Sequence, residues 1–362
     1  MKPLHPSTVA ASRQSAANLW TLKNAAFCRK PLRTLHGLSI AVVLQLGMLA
    51  SSGQAQNLFE TDLINEKIYE FTPGGAQSTF ASGLNYPAGL AFNSAGDLFE
   101  VDGGSRNIYE FTPGGTQSTF ASGLAPIALA FNSAGNLFVT TYYGYIFEIT
   151  PGGAQSFFAG GLGMGSAVGL AFDNADNLFV TSGGNILEFT NGVATEMGTF
   201  ASGLSPVALA FDRAGNLFVS SGGTTILEFT NGVATEMGTF ASGLNDPVGL
   251  AFDRAGNLFV TSGGNILEFT NGVATEMGTF ATGLSYGGYL AFQPPPALAI
   301  VLSGPNVVLT WPTNVTGNLQ FTTNLVSSAA WNTNLPPPVV VNGQNAVTNP
   351  ITGSQMFFRL TQ

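Results

Sequence analysis

The stretch Pro247-Val-Gly-Leu-Ala-Phe-Asp-Arg-Ala-Gly-Asn-Leu-Phe-Val260 decides the fold, because close copies of it recur along the chain. It contains one apolar run that ends in Leu-Ala-Phe, a polar segment with Asp, Gly and Asn, and a second apolar run. Short apolar runs of this kind, bounded by Gly, Pro, Asn and Asp, are typical of β-strands and tight turns. The stretch therefore predicts two consecutive strands, a and b, joined by a turn.

Four motifs recur six times in the same order with a period of about 40 residues, which is typical of β-propeller blades. Strand a ends at Phe92, Phe131, Phe172, Phe211, Phe252 and Phe292. Strand b begins with the Asn or Asp at positions 57, 97, 136, 177, 216 and 257. Strand c carries a Glu at 70, 110, 148, 188, 228 and 268, and strand d leads to a Leu at 84, 124, 162, 204, 244 and 284.

The phase of the repeat predicts how the ring closes. The first period opens with strands b, c and d, whereas the last period ends with strand a alone, Tyr289-Leu-Ala-Phe292. We therefore expect an all-β, six-bladed propeller over residues 56–292, with four strands per blade and the final strand completing the first blade. Such closure removes the exposed sheet edge between the two ends of the chain.

Strand a alternates large and small side chains, and successive strand residues face opposite ways. Leu90 and Phe92 would face one neighbouring blade, and Gly89 and Ala91 the other. All six copies have Ala at the second small position: Ala91, Ala130, Ala171, Ala210, Ala251 and Ala291. The pattern predicts that the large face of one blade meets the small face of the next, around an apolar hub without reactive groups.

The first 55 residues read as a signal peptide. A head with six cations precedes the apolar run Leu38–Ala50, and small residues follow at Gly53 and Ala55. A buried helix in the mature protein is the alternative. Cleavage after Ala55 leaves a chain without His or Cys, with five cations against twenty acids and a formal net charge of −15. We expect a secreted protein, periplasmic or extracellular, of bacterial type.

This composition excludes several kinds of chemistry in the mature chain. Disulfides, thiolate nucleophiles, imidazole bases and His or Cys metal ligands need residues that it lacks. Nucleic acids and anionic membranes need clustered cations, so we expect no nucleic-acid partner and no membrane insertion after signal removal. Carboxylate, hydroxyl and carbonyl oxygens remain, and they would suit Ca²⁺ or Mg²⁺.

The loops that join strands d to a and b to c vary most between the repeats, and they share one face of a propeller. Tyrosine is enriched in binding surfaces because it offers a large contact area at low entropic cost. We expect a ligand-binding face here, with unconstrained loops as the alternative. The candidate ligand-binding residues are Tyr86, Asp102, Arg106, Tyr142, Tyr143, Tyr145, Asp246, Tyr286 and Tyr289.

Two groups of acidic residues are interpreted as structural. The a–b turns, such as Asp212–Asn216, lack the alternating ligands of a Ca²⁺ loop and are read as turns in which Asp caps and Gly takes positive φ. The six strand-c glutamates lie too far from the axis to converge, so we expect them to be solvated or paired. No catalytic residue and no metal ligand is assigned from the sequence.

A small second domain follows a Pro-rich linker over residues 293–296. Residues 297–362 contain short strand-like runs with Gly, Pro and Asn turns, together with Trp311 and Trp331. This pattern predicts a compact β-sandwich. The segment resembles the Ig-like or fibronectin-III-like C-terminal modules of secreted bacterial proteins, which implies a role in adhesion, spacing or export.

The repeats resemble bacterial NHL-repeat propellers and the SMP-30/gluconolactonase-like and streptogramin-lyase-like groups, over roughly residues 57–292. The nearest match to the stretch that names NHL repeats is Gly104-Ser-Arg-Asn-Ile108. The lyase resemblance implies a catalytic His, which the mature chain lacks. The lactonase resemblance implies a metal-binding Glu that opens the first blade, and no Glu-Gly-Pro-like opening is present.

Segments 186–204 and 226–244 are identical, which suits a scaffold better than separate catalytic roles for each blade. We therefore expect a monomeric, non-enzymatic binding protein for a protein, glycan or small-molecule ligand, without a cofactor. The alternative is a Ca²⁺- or Mg²⁺-dependent lactonase or hydrolase with carboxylates near the axis. A purely structural extracellular module is a third possibility.

Overall fold

The computed structural model describes residues 56–165, 168–294, 298–312, 318–323, 331–333, 335–341, 344–350 and 356–361. These residues form β-strands and three short 3-10 segments, Thr190–Gly192, Thr230–Gly232 and Thr270–Gly272, and they contain no α-helix. In this part of the chain no helix is long and apolar enough to cross a membrane. The expected signal peptide and residues 295–296 of the expected linker lie outside the described residues.

Residues 58–292 form repeated four-stranded antiparallel sheets. Three strands of sheet 1 are β1 (Leu58–Asp62), β2 (Lys67–Phe71) and β3 (Gln77–Ser82). Sheet 2 contains β4 (Pro87–Phe92), β5 (Leu98–Asp102), β6 (Asn107–Phe111) and β7 (Gln117–Ser122), and sheet 3 contains β8 (Pro126–Phe131), β9 (Leu137–Thr141), β10 (Tyr145–Ile149) and β11 (Gln155–Gly160). Sheet 4 contains β12 (Leu170–Phe172), β13 (Leu178–Ser182), β14 (Asn185–Phe189) and β15 (Met197–Ser202).

Sheet 5 contains β16 (Pro206–Phe211), β17 (Leu217–Ser221), β18 (Thr225–Phe229) and β19 (Met237–Ala241). Sheet 6 contains β20 (Pro247–Phe252), β21 (Leu258–Ser262), β22 (Asn265–Phe269) and β23 (Met277–Thr282). The last strand, β24 (Leu290–Phe292), pairs antiparallel with β1 and completes sheet 1. The predicted pairing of the final strand a with the first strand b is therefore confirmed.

We call the strand-a member of each sheet its first strand, which in sheet 1 is β24. Each first strand contacts the first strands of two other sheets. Strand β4 contacts β24 and β8, β12 contacts β8 and β16, and β20 contacts β16 and β24. These contacts form an unbroken circuit, which is consistent with a β-propeller.

Large and small side chains alternate at the contact between sheets, as the sequence predicts. In β16, Leu209 and Phe211 pack with Phe179 of sheet 4, whereas Ala208 and Ala210 pack with the cluster that contains Leu250 of sheet 6. Phenylalanines connect the sheets, and the rings of Phe179 and Phe211 meet edge to face with centroids 5.0 Å apart. The core therefore lies between the sheets, in layers that each pair one large face with one small face.

The a–b turns have the predicted chemistry. In the turn before β17, one carboxylate oxygen of Asp212 accepts from the backbone N–H of Asn216 at 2.8 Å, and the other accepts from its side-chain amide at 2.8 Å. Gly215 has φ of 91°, which favours glycine. The carboxylate of Asp212 is therefore occupied within its own turn.

The C-terminal segment contains two antiparallel sheets. One contains β25 (Ala299–Ser303), β26 (Asn306–Pro312), β28 (Val339–Val341) and β29 (Gln344–Pro350), and the other contains β27 (Asn318–Thr322) and β30 (Phe357–Thr361). A shared core contains Leu309 and Trp311 of β26, Leu319 of β27 and Val347 of β29.

A larger side chain at Ala210 should destabilise the fold. Ala210→Leu adds three heavy atoms to a contact that already contains Leu250 and Phe252, so we expect a loss of about 1–3 kcal/mol in unfolding free energy. Urea denaturation measures the loss. The matched control is Ala214→Leu in the exposed turn of the same sheet, which should change stability by less than about 0.5 kcal/mol. An equal effect of the two substitutions would contradict the packing described above.

Candidate functional site

The b–c loops and the d–a loops lie on one face, as the sequence predicts, because backbone hydrogen bonds join them. Gly103 N–H donates to the carbonyl of Tyr86 at 3.1 Å, and Tyr142 N–H donates to the carbonyl of Ala125 at 2.9 Å. Equivalent bonds connect the corresponding loops of sheets 5 and 6. We call this surface the loop face.

Exposed aromatic side chains are concentrated on the loop face. Five predicted tyrosines expose between 41% and 62% of their surface: Tyr86, Tyr142, Tyr143, Tyr145 and Tyr286. The rings of Tyr142 and Tyr143 meet edge to face with centroids 5.8 Å apart. Met164, Leu63 and Ile64 are also exposed on these loops. Leu63 and Ile64 were not predicted from the sequence, although their position in a b–c loop was a signal for exposure.

The other predicted residues have different surroundings. Arg106 is exposed, and Asp246 is exposed and accepts a hydrogen bond from the Tyr286 hydroxyl. This bond is the main cause that raises the pKa of Tyr286. Asp102 is buried, and its carboxylate accepts from the backbone N–H groups of Asn85 and Ser105 at 2.6 and 2.9 Å. Asp102 therefore holds two loops together and does not face solvent.

Tyr289 reaches across the circuit of first strands. Its hydroxyl donates to the carbonyl of Val168 at 2.9 Å, which joins sheet 1 to sheet 4 on the opposite side. Its ring packs beside the core cluster that contains Ala128 and Leu170. Burial raises the pKa of the phenol to about 12. Tyr289 lies inside the circuit, away from the exposed tyrosines of the loop face.

Two buried glutamates were not foreseen, and the expectation of a hub without reactive groups is wrong in their neighbourhood. Glu60 in β1 and Glu100 in β5 have no exposed surface. One oxygen of Glu60 accepts from Gly288 N–H at 3.0 Å. The other oxygen, and both oxygens of Glu100, have no hydrogen-bond partner among the described residues. The repeat pattern did not indicate these residues, because the same strand position is Val in the other four sheets.

Burial raises the pKa of Glu60 and of Glu100 to about 9. A smaller contribution comes from Asp62 for Glu60 and from Asp102 for Glu100. Both side chains are therefore protonated and neutral at pH 7. Buried acids of this kind are destabilising where an apolar residue would fit, and they occur preferentially at functional sites.

The strand-c glutamates do not converge, as expected. Glu70 and Glu148 accept from the side-chain amides of Asn57 and Asn136, each at 2.6 Å. In the other four sheets the pKa of the strand-c glutamate is raised mainly by partial burial and to a smaller extent by a turn Asp of the same sheet. These residues are Glu110, Glu188, Glu228 and Glu268.

A cleft of about 380 Å³ between sheets 5 and 6 is lined by Asp212, Arg213 and Glu228. No group of three or more His, Cys, Asp or Glu side chains within the described ranges could hold a metal ion.

Comparison with solved structures supports the fold. A structure of a nidogen–laminin complex matches with a TM-score of 0.57 and 18% identity, over 66% of this chain and 98% of that chain. A gluconolactonase from Xanthomonas campestris matches with a TM-score of 0.51 and 19% identity, over 57% of this chain and 79% of that chain. A protein of unknown function from Bacteroides caccae matches with a TM-score of 0.51 and 12% identity, over 67% and 100%.

These similarities show that the chain has a β-propeller fold, which many unrelated functions share. No protein-family model matches the sequence. No curated protein matches it either.

Replacement of Glu100 by Val should stabilise the protein at neutral pH. The folded state holds the proton up to about pH 9, whereas the unfolded chain releases it above about pH 4.5, so stability falls as pH rises between these values. The slope is at most ~1.4 kcal/mol per pH unit for one group. Urea unfolding from pH 4 to pH 9 in the presence of a chelator should show a shallower fall for Glu100→Val. The exposed Glu236→Val is the control, and equal slopes for both variants would contradict the prediction.

Removal of the Tyr289 hydroxyl should weaken the contact across the circuit. Tyr289→Phe leaves the Val168 carbonyl without its donor, so we expect a loss of about 0.5–1.5 kcal/mol. Tyr289→Ala also removes the ring from the core and should cost about 3–5 kcal/mol. Thermal unfolding compares the two variants with the exposed Tyr143→Phe. A neutral effect of Tyr289→Ala would show that the ring does not fill the centre.

Proposed function

We propose that this protein is an exported, six-bladed β-propeller that binds a partner through its loop face and catalyses no reaction. The predicted sandwich at the C-terminus would act as a spacing or adhesion module. The proposal includes export through the N-terminal signal peptide and a monomeric mature chain with no resident cofactor. The single observation that carries the proposal is the concentration of exposed tyrosines on one face.

Exposed aromatic rings on the loop face favour a binding role. Tyr86, Tyr142, Tyr143, Tyr145 and Tyr286 each leave at least two fifths of their surface in solvent. Aromatic side chains at a protein surface favour burial against a partner, and the hydroxyl adds a directional hydrogen bond. The rings of Tyr142 and Tyr143 contact each other, and Tyr286 donates to Asp246. Side chains held by such contacts before binding would lose less conformational entropy when a partner covers them.

The comparison with the nidogen–laminin complex supports a macromolecular partner, because a protein of the same fold is seen there in a complex. The net charge of −15 after signal removal argues against nucleic acid and acidic membranes. A protein or a glycan with apolar and hydroxyl groups fits the mixture of rings and polar side chains on the loop face. A small molecule would use fewer of the tyrosines.

A metal-dependent lactonase is the second candidate, and one observation favours it. The buried carboxyls of Glu60 and Glu100 lie in the second strands of adjacent sheets, and the gluconolactonase from Xanthomonas campestris shares the fold. A hydrolase also needs an open substrate site beside its metal. Hydrolysis of aldonolactones with added Ca²⁺ or Mg²⁺, abolished by Glu100→Gln, would favour this candidate over the binding protein.

The binding proposal predicts that ligand affinity depends on the loop face. Wild-type protein would be screened on a glycan array and against a panel of purified extracellular proteins. For each ligand found, Tyr142→Ala and Tyr143→Ala together should weaken binding at least tenfold, because central aromatic residues carry about 2 kcal/mol or more each. The control exchanges Met197, Met237 and Met277 for Ser, since these exposed residues lie outside the b–c and d–a loops. Affinities that follow the methionines and ignore the tyrosines would refute the proposal.

A further inference from the structure

Sheet 3 departs from the repeat at three positions of its two outer strands. Tyr145 begins β10, and Phe157 and Gly160 lie in β11. The other five sheets have a polar or charged residue at each of these positions. The counterparts of Tyr145 are Lys67, Asn107, Asn185, Thr225 and Asn265, those of Phe157 are Thr79, Thr119, Thr199, Thr239 and Thr279, and those of Gly160 are Ser82, Ser122, Ser202, Ser242 and Thr282. Two aromatic residues and one glycine are therefore exchanged together.

The glycine makes room for the tyrosine ring. Gly160 pairs with Tyr145 in the ladder between β10 and β11. A Cβ atom at Gly160 would lie 2.8 Å from Cδ1 and 3.2 Å from Cε1 of Tyr145, and 3.4 Å from Cζ of Phe157. The Ser or Thr of the other sheets would therefore displace the Tyr145 ring. With Gly160 in place, this ring lies against β11 beside Phe157.

Phe157 stands between two rings of β10. Its ring centroid lies 6.0 Å from that of Tyr145 and 6.1 Å from that of Phe147, at interplanar angles of 67° and 86°. Phe157 exposes 62% of its surface and Tyr145 exposes 43%. We call Tyr145, Phe147 and Phe157 the aromatic cluster of sheet 3. It is an exposed apolar surface that the other sheets do not repeat.

The surroundings of the aromatic cluster are polar but uncharged. Strands β10 and β11 contain one charged residue, Glu148, whose carboxylate accepts from the side-chain amide of Asn136 at 2.6 Å. Successive strand residues face opposite ways, so Glu148 faces away from Phe147. The polar side chains of β11 are Gln155 and Ser156, which are neutral and exposed. This surface therefore combines rings with neutral hydrogen-bonding groups.

Strand β11 also leaves a backbone edge beside the rings. It is the outermost strand of sheet 3 and pairs with β10 alone among the described strands. Such an edge presents backbone N–H and C=O groups to an extended ligand. Tyr145 directly follows the b–c loop that contains Tyr142 and Tyr143, so the aromatic cluster continues the loop face along the side of sheet 3.

We propose that the aromatic cluster of sheet 3 stacks against the sugar rings of a neutral glycan, an assignment that rests on the proposed function and names its ligand class. The negative face of an aromatic ring attracts the polarised C–H groups on one side of a sugar ring. The hydroxyl groups at the edge of the sugar would bond to Gln155 and to the free edge of β11. Because Gly160 already holds the Tyr145 ring in place, binding would order few side chains.

The absence of free charge on β10 and β11 favours a neutral glycan over other partners. Charged protein surfaces and acidic glycans are recognised through complementary charges, which these two strands do not offer. Apolar side chains of a peptide are usually enclosed in a concave pocket, whereas the aromatic cluster is open along a strand edge. An extended sugar chain needs only a surface of rings with hydrogen-bonding groups beside it.

The test measures binding of the full chain to linear hexasaccharides of glucose, mannose, galactose and N-acetylglucosamine by isothermal titration calorimetry, with hexagalacturonate as the acidic comparison. Wild type should bind at least one neutral hexasaccharide, and bind it more tightly than hexagalacturonate. Phe157→Thr and Tyr145→Asn should each weaken binding at least about tenfold, because each removes a central ring. Gly160→Ser keeps both rings but displaces Tyr145, so it should weaken binding as well.

The matched controls use residues of the other sheets. The triple variant Tyr145→Asn, Phe157→Thr and Gly160→Ser gives sheet 3 the residues of sheet 4, so it should melt near the wild-type temperature and bind no neutral hexasaccharide. Met237→Ser changes an exposed residue of the outer strand of sheet 5 and should retain full binding. A wild type that binds no neutral hexasaccharide, tighter binding of hexagalacturonate, or full binding by the triple variant would each overturn the assignment.

Tyr142→Ala with Tyr143→Ala separates this assignment from the loop-face proposal. Glycan binding that depends on these tyrosines and ignores Phe157 would support the loop face and refute the aromatic cluster. Binding that depends on Phe157 and ignores the two tyrosines would support the cluster and refute the loop face. A purified protein whose affinity depends on Phe157, when no hexasaccharide binds, would identify a peptide as the occupant and refute the glycan.

Discussion

The close approach of neighbouring first strands is the constraint on which the rest of the structure depends. A Cβ atom placed on Gly169 would lie 2.5 Å from the carbonyl oxygen of Val207, and one on Gly89 would lie 2.8 Å from the Cα of Ala128. A Cβ atom does not fit at these two glycines without a shift of the neighbouring backbone. Of the six equivalent positions, three have Gly and two have Ala. The sixth is Tyr289, whose side chain crosses to the opposite sheet. One large residue thus occupies the centre that five small ones leave open.

Close packing of backbones requires that their polar groups find partners. The first strands are bulged near their beginning, and hydroxyl groups of the second strands satisfy the N–H groups freed there. Thr181 accepts from Val168 and Gly169, each at 3.0 Å, and Thr261 accepts from Gly249 at 2.7 Å. These buried hydroxyls explain why strand b is apolar only up to its third residue. Sheet 2 has Val101 at this position and carries Glu100 beside it.

The candidate site was predicted in part, and the errors have a common cause. Exposure of Tyr86 and Tyr142 followed from their place in variable loops. Asp102 is predicted with them because it lies beside a variable b–c loop, but its carboxylate accepts from the loop N–H groups of Asn85 and Ser105. In other sheets a Ser has this role, as Ser262 does for Asn245. Loop conformation, and not residue type, decides whether such an acid faces solvent.

The amino-acid sequence by itself determined the period, the strand order within each repeat and the pairing of the last strand with the first, because these follow from local patterns copied six times. It also determined the residue types available for chemistry, and it predicts an N-terminal export signal. Only the tertiary structure decided which departures from the repeat have a structural role. Glu60, Glu100 and Tyr289 each replace a small or apolar residue of the repeat, and their roles depend on contacts between strands far apart in the chain. Burial raises the pKa of the two acids, and the packing of the first strands directs the Tyr289 side chain toward Val168. Both effects are properties of the assembled sheets.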